Sequence, residues 1–200
     1  MSVVLYTIAG LLLGSVPFAY LLGRLVLHLD IRRYGRDGNP GGANAWRAGG
    51  WRIGLAGGFL DYLKGFAPVA LAKYASGLSG WSLLPIALAP VVAYVFCPWL
   101  HFRGGKAVST TLGIWTALSG GWGLLAFGLG AGPAWGLLRA DAWATVLGFV
   151  ALLAYLLIFS LQPALLLIWL LDGGLVLWKH RRELREPPRW RFGVDARRAS

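Results

Sequence analysis

The chain has little of what soluble enzymes usually carry. It holds one cysteine in 200 residues, Cys97, which excludes an internal disulfide and any metal site built from several cysteines. Charged residues make up 14% against 57% hydrophobic, far too apolar for an ordinary soluble domain. Acidic residues are scarce: eight Asp and Glu stand against 19 Lys and Arg, a net charge of +11. Such a surplus raises nucleic acid as a partner. The basic residues, however, fall in segments that alternate with apolar runs, as the positive-inside rule requires of a membrane protein, so no nucleic acid is expected. The first apolar stretch lacks a basic leader and an evident cleavage site, and is expected to be a retained span. Internal repeats, a low-complexity linker and a Ser-His-Asp triad are also missing.

What is present is a series of apolar runs near the roughly 20 residues a helix needs to cross a bilayer. They occupy residues 3–27, 53–74, 82–100, 142–159 and 163–178, and the stretch 107–138 has room for two shorter spans divided around Ser119-Gly120-Gly121. The expected fold is an all-α polytopic membrane protein of about seven transmembrane helices with cytoplasmic motif loops. Eleven tryptophans fit many interfacial ring positions. With seven spans, the basic segments at 28–52 and 101–106, Arg139 and the basic tail fall on one side. That predicts a cytoplasmic C-terminus and an outside N-terminus. Residues 1–186 are expected to form one integral membrane domain, and 187–200 a basic, disordered cytoplasmic tail.

Two glycine-broken basic segments carry the chemistry. One runs from Asp30 to Arg47 through Gly35-Arg36-Asp37-Gly38-Asn39-Pro40-Gly41-Gly42-Ala43-Asn44; the other is Arg103-Gly104-Gly105-Lys106. Glycine frees backbone N–H groups to face an anion and the cations supply charge, so both point to phosphate handled beside lipid. Arg47 is a candidate bidentate phosphate ligand, or else a lipid-headgroup contact. Gly104, Gly105 and Lys106 are a second candidate cradle, with Lys106 expected to open a helix. Asn39 and Asn44 serve equally as substrate contacts or turn formers. Asp61 and Lys64, three residues apart inside one span, are either a buried ion pair or part of a site, with Lys64 the more apt to touch substrate.

These residues resemble the bacterial acyl-phosphate:glycerol-3-phosphate acyltransferases of the PlsY type. The resemblance lies in Gly14-Ser15-Val16-Pro17-Phe18-Ala19-Tyr20 with Asp30-Ile31-Arg32, Gly38-Asn39, Gly41, Asn44 and Arg47 as a first motif. It continues in Leu60-Asp61-Tyr62-Leu63-Lys64-Gly65, Phe102-Arg103-Gly104-Gly105-Lys106 and His180-Arg181, in order along nearly the whole chain. It implies acyl transfer from acyl phosphate to the 1-hydroxyl of glycerol 3-phosphate, giving lysophosphatidic acid and phosphate for phospholipid synthesis. It also implies no metal or cofactor, membrane lipids as surroundings, and an upstream enzyme that forms the acyl phosphate. Asp37 and His180 are the candidate catalytic residues, as general bases toward the glycerol hydroxyl, with Glu183 placed to orient His180. Asp37 also fits a plain ion pair with Arg36 or Arg33, and His180 a helix-capping cation.

The departures are as informative. The family's Gly-Ser-Gly-Asn becomes Gly35-Arg36-Asp37-Gly38-Asn39, with aspartate in the place of serine. Its glycine after the lysine becomes Ala107, and its His-x-x-Asn becomes His180-Arg181-Arg182-Glu183. These changes keep a second reading open, a non-catalytic paralogue that binds anionic lipid or a polyol phosphate. A small transporter is a third, for which the acidic-basic pair fits but an inverted repeat is missing.

Overall fold

The computed structural model describes residues 1–35 and 37–191; Arg36 and the tail residues 192–200 lie outside the described part. Among the described residues the chain is helical, apart from one isolated antiparallel bridge between Leu138 and Trp190. Eight α-helices follow in order: α1 (Ser2–Ser15), α2 (Phe18–Val26), α3 (Gly42–Ala70), α4 (Leu83–Val95), α5 (Val108–Ser119), α6 (Trp122–Leu137), α7 (Asp141–Phe159) and α8 (Pro163–His180).

Their boundaries follow local chemistry. Pro17 lacks the N–H that would continue α1 and sits at the join to α2, so the first apolar run is one span bent in its lower half. Gly120 and Gly121 both adopt positive φ and divide the stretch 107–138 into α5 and α6, where the sequence placed the break. Pro163 opens α8 at its first turn, where a missing N–H costs nothing.

The segment around Gly50 departs from expectation. The first motif reads as a loop up to Arg47, but Asn44 and Arg47 are helical, in the opening turns of α3. Gly50 interrupts that helix with φ 76° and ψ −176°. A Cβ on Gly42 would lie 3.2 Å from the Cα of Gly58, although a straight helix would separate these residues by about 24 Å. The arm 42–49 therefore folds back along the arm 51–70. This reversal brings Arg47 and the first motif beside the helix that carries Asp61 and Lys64.

Among the described residues four segments are long and apolar enough to cross a membrane: Ser2–Val26, Gly80–Leu100, Asp141–Phe159 and Pro163–His180. Their outward faces carry large apolar side chains such as Leu12 (66% exposed), Ile158 (71%) and Phe159 (75%), which water would not tolerate in such density. α5, with 12 residues, is about 18 Å long, short of the hydrocarbon thickness by itself. α5 is instead enclosed by its neighbours, with no exposed residue and with Ile114, Trp115 and Ala117 fully buried. Glycine makes that possible: a Cβ on Gly65 would strike the backbone of Thr110, and one on Gly113 the backbone of Tyr62, so α3 and α5 touch main chain to main chain. Gly54 and Gly57 are close-packed as well, against Trp46 and Ala19. Asp172 on α8 completes this wall by accepting hydrogen bonds from Thr111 Oγ1 and Trp115 Nε1, each at 2.9 Å.

Candidate active site

A cavity of about 300 Å³ opens where the two basic segments meet. The opening residues of α3 (Gly42, Ala43) and of α5 (Val108, Ser109) line it together. Helix N-termini present N–H groups without intrahelical partners and a positive dipole end, so two of them facing one cavity favour an anion there.

The first motif is organised by Asn44. Fully buried, it donates from Nδ2 to the Asn39 carbonyl at 2.8 Å and to Asp37 Oδ1 at 3.1 Å, and accepts at Oδ1 from Arg47 Nη1 at 2.7 Å. Its amide is thereby spent on holding the loop and aiming Arg47, which lines the cavity with about half its side chain exposed. The other end of the Arg47 guanidinium lies 3.8 Å from Asp141. Asn39 does reach the cavity, and its Oδ1 accepts the backbone N–H of Lys106 at 3.3 Å, tying the first motif to the second.

Lys106 stands two residues before α5, not at its first position. Its ammonium bonds Asp37 Oδ2 at 2.7 Å and also bonds Glu183. Asp37 thus pairs across the cavity with Lys106, not with the neighbouring Arg33; Arg36, the other expected partner, lies outside the described residues. Burial pushes the Asp37 carboxyl up, but the hydrogen bond and charge of Lys106, with the N–H of Asn39 and the amide of Asn44, outweigh it and hold the group below the usual carboxylate range. Glu183 is likewise taken by Lys106 and not by His180. The His180 ring is buried against the cavity wall with Nδ1 2.8 Å from the Val176 carbonyl. A carbonyl only accepts, so Nδ1 carries the hydrogen and, in the neutral ring, Nε2 keeps its lone pair.

The remaining expected residues stand behind this surface. Lys64, fully buried, donates to Asp61 Oδ1 at 2.7 Å and to the Val16 carbonyl at 2.9 Å, with its ammonium 3.3 Å from the centre of the Tyr94 ring. Tyr94 donates in turn to Asp61 Oδ2 at 3.2 Å. The cavity wall therefore carries Asp61 and Tyr94, and Lys64 is the counter-ion behind them, the reverse of the expected order. Gly104 and Gly105 let the second segment pass Tyr94: a Cβ on Gly105 would lie 2.6 Å from its ring, and one on Gly104 would strike its carbonyl. Gly104 also accepts from Lys179 Nζ at 2.7 Å, which fastens the segment to α8.

Sequence reading missed Asp141, Tyr94, Trp135 and Thr145, all on the cavity wall. Asp141 had one usable signal, since an acidic residue is rare in this chain and this one adjoins a span boundary. Tyr94 had one as well, since Ala93-Tyr94 stands where the related family carries a Gly-His pair, but by composition alone it reads as one more apolar residue of a span.

Comparison with known proteins agrees with this geometry. The profile of the glycerol-3-phosphate acyltransferase family matches residues 4–187. Glycerol-3-phosphate acyltransferase 1 of Thermotoga maritima is 32% identical over 186 residues, covering 86% of this chain and 91% of that protein. The glycerol-3-phosphate acyltransferase of Rubrobacter xylanophilus is 40% identical over 183 residues, covering 91% and 89%. The crystal structure of PlsY (YgiH), an integral membrane glycerol 3-phosphate acyltransferase, in its glycerol 3-phosphate form, superposes with a TM-score of 0.84 at 28% identity over 98% of both chains. Its lysophosphatidic acid form gives 0.80 at 29% identity, over 92% of this chain and 91% of that one. A phosphate-suited cavity framed by both basic segments, in an all-helical fold shared with an integral membrane protein, accords with the profile match, and the chain belongs to the glycerol-3-phosphate acyltransferase family.

Proposed function

We propose that this protein transfers an acyl group from acyl phosphate to the 1-hydroxyl of glycerol 3-phosphate, releasing inorganic phosphate and lysophosphatidic acid for phospholipid synthesis. The observation that carries this reading is the convergence of two helix N-termini, Arg47, Lys106 and His180 on one cavity. Family membership supplies the reaction, and the cavity supplies groups suited to it.

Acyl phosphate is an activated mixed anhydride, so the protein's work is to bind two phosphates, align the hydroxyl and neutralise charge at the carbonyl oxygen. Arg47 and Lys106 bind phosphate with the opening N–H groups of α3 and α5, and Asn39 contacts the acceptor. Asn44 acts by aiming Arg47, and Gly104 and Gly105 by letting the second segment approach Tyr94. His180 Nε2 accepts the hydroxyl proton as the oxygen attacks the acyl carbon; the carbon–oxygen bond to phosphate breaks, and the proton passes to the departing phosphate. Asp37, held below the usual carboxylate range, is a poor base and serves through its contacts to Lys106 and Asn44.

The bent first run with α3 to α8 makes seven spans, α5 being a short one enclosed by its neighbours rather than facing lipid, with the N-terminus outside and the C-terminus cytoplasmic in a bacterial, multi-pass inner-membrane protein. In its support, residues from both basic segments, the start of α7 and the end of α8 line the same cavity, as that parity requires. Residues 1–186 form the catalytic domain, with 187–200 a basic tail. The acyl phosphate is drawn from an upstream enzyme that forms it, and the acyl chain lies among the spans beside membrane lipids.

The test is phosphate release from palmitoyl phosphate by purified protein, with and without glycerol 3-phosphate. Acceptor-dependent release with a lysophosphatidic acid product is expected. Silence with retained binding of glycerol 3-phosphate would leave the paralogue that binds a polyol phosphate without catalysis.

A further inference from the structure

Every cation on the cavity wall already has an anionic neighbour among the described residues. Lys106 bonds two carboxylates, Asp37 at 2.7 Å and Glu183, and Arg47 faces Asp141 at 3.8 Å. Asp61 adds a further carboxylate to the wall, balanced from behind by Lys64. An anion entering this cavity therefore does not meet bare positive charge. It meets cations that already have anionic neighbours: two carboxylates take two of the three ammonium donors of Lys106, so an anion that draws the full charge of this lysine competes with them.

Displacement is physically open at Lys106 in a way it is not at Lys64. The side chains of Lys106, Asp37 and Glu183 are 12%, 23% and 30% exposed, so a released carboxylate turns to water instead of being stranded in the interior. Both carboxylates also sit outside the long helices, Asp37 in the first-motif loop and Glu183 in the short 3-10 turn Glu183–Arg185 after α8. Lys106 itself is fixed through its backbone N–H to Asn39 and by standing two residues before Val108, which opens α5. The fixed element is the cation; of the anions Glu183 is the freer, and Asp37 can release the lysine from Oδ2 while its Oδ1 keeps the Asn39 N–H and the Asn44 amide.

We propose that Asp37 and Glu183 are built-in competitors for the phosphate site at Lys106, holding the ammonium when the site is empty and giving way to an incoming phosphate. Their consequence is selective. They weaken retention of any phosphate at Lys106, and they return to the lysine as inorganic phosphate leaves, so product is exchanged for an internal anion rather than released against an unpaired charge. The two acidic departures from the family pattern, aspartate in the place of serine and glutamate in the place of asparagine, thereby act together on one lysine. This inference rests on the phosphate reading of the cavity, but it does not need turnover.

The experiment is calorimetric titration of full-length protein in detergent with inorganic phosphate, comparing wild type, Glu183→Gln and the double variant Asp37→Asn/Glu183→Gln. Glutamine keeps the shape and a carbonyl acceptor and removes only the charge, and Glu183 is a partly exposed residue whose replacement spares the core. Phosphate should bind Glu183→Gln about tenfold more tightly, the factor one charge-assisted hydrogen bond represents, and the double variant more tightly still. In the acyl-transfer assay inorganic phosphate should become a correspondingly stronger product inhibitor. Unchanged or weaker binding in Glu183→Gln overturns the inference, and if wild type still transfers acyl groups it overturns the inference alone. Tighter binding in a protein that transfers no acyl group upholds the inference and removes the acyltransferase reading. Failure of all three proteins to bind phosphate removes both readings.

Discussion

The molecule grips two lysines with carboxylates, and the two clusters differ chiefly in their access to water. Lys64 is sealed between Asp61, the Val16 carbonyl and the face of Tyr94, with its side chain 0% exposed. Lys106 is held by Asp37 and Glu183 at the rim of a cavity. Between the same partners, burial decides what a pair is for. A sealed pair has no alternative partner, so each ion exists only because the other does, and the pair joins α3 to the α1–α2 bend and to α4. A rim pair has water and incoming anions as alternatives, so it contributes little to stability and much to selectivity.

The comparison breaks most sharply at Lys64. Lys64→Ala strands the Asp61 carboxylate in the interior and should cost about 3–5 kcal/mol, as removal of one partner from a buried pair does. Thermal unfolding in detergent measures this. The double variant Lys64→Met/Asp61→Leu should recover most of the loss, because no charge is then left without a partner. If Lys64→Ala unfolds like wild type, the cluster is not sealed and the contrast with Lys106 fails.

Lys106→Ala should do the reverse. The carboxylates it frees turn to water, so unfolding should shift by no more than about 1 kcal/mol, the scale of an exposed pair. Acyl transfer should nevertheless fall by at least about a hundredfold, the scale of a lost electrostatic contact to reacting phosphate. Arg47→Ala should behave alike. A variant at either position that folds and turns over normally would sink the phosphate-cradle reading.

How far these clusters were legible in the sequence follows the same line. Apolar runs and their glycine and proline breaks are local, so the helices from α4 onward fall where the sequence placed them, including the division at Gly120-Gly121. The reversal at Gly50 was less visible, although Ala48-Gly49-Gly50 between Trp46 and Trp51 is its signal; a glycine pair in an apolar stretch reads as packing until the arms are seen side by side. Arg47, Lys106, Asn39 and His180 stand in motifs and were named from them, and the structure brings all four to the cavity. Lys64 was assigned to the substrate side because one helix shows only that Asp61 and Lys64 share a face. Which of them meets the cavity is set by Val16 and Tyr94, respectively 48 and 30 positions distant, and no local pattern carries that. Glu183 was assigned to His180, one turn away, for want of any way to see Lys106 approaching from the other end of the fold.

A smaller effect is expected at Ala107. It holds φ 62° and ψ 10°, a left-handed conformation that costs a β-carbon about 1 kcal/mol, at the place where the related family prefers glycine. Ala107→Gly should raise stability by up to that amount, read by thermal unfolding, with Lys106 kept in place by its bond to Asn39. A loss of stability would mean that the Ala107 methyl, buried beside the cavity, contributes more than its strain removes.

The smallest effect concerns pH and separates the rim pair from its surroundings. Lys106 and the amide donors hold the Asp37 carboxyl below its ordinary value of 3.8, so in the folded protein the group stays ionised to lower pH than in the unfolded chain. Its contribution to stability is therefore fully present above about pH 4 and lost as pH falls through the depressed value. Asp37→Asn should then be less stable than wild type by a constant amount of no more than about 1 kcal/mol from pH 5 to 8, and the two proteins should converge below pH 4. Asp30, held low by its side-chain bond from Arg32 at 2.6 Å, titrates in the same direction, so the comparison needs Asp37→Asn against wild type at each pH rather than one acid curve. A difference that persists undiminished at pH 3 would assign the stabilisation to the loop contacts of residue 37, which asparagine also disturbs, and not to its charge on Lys106.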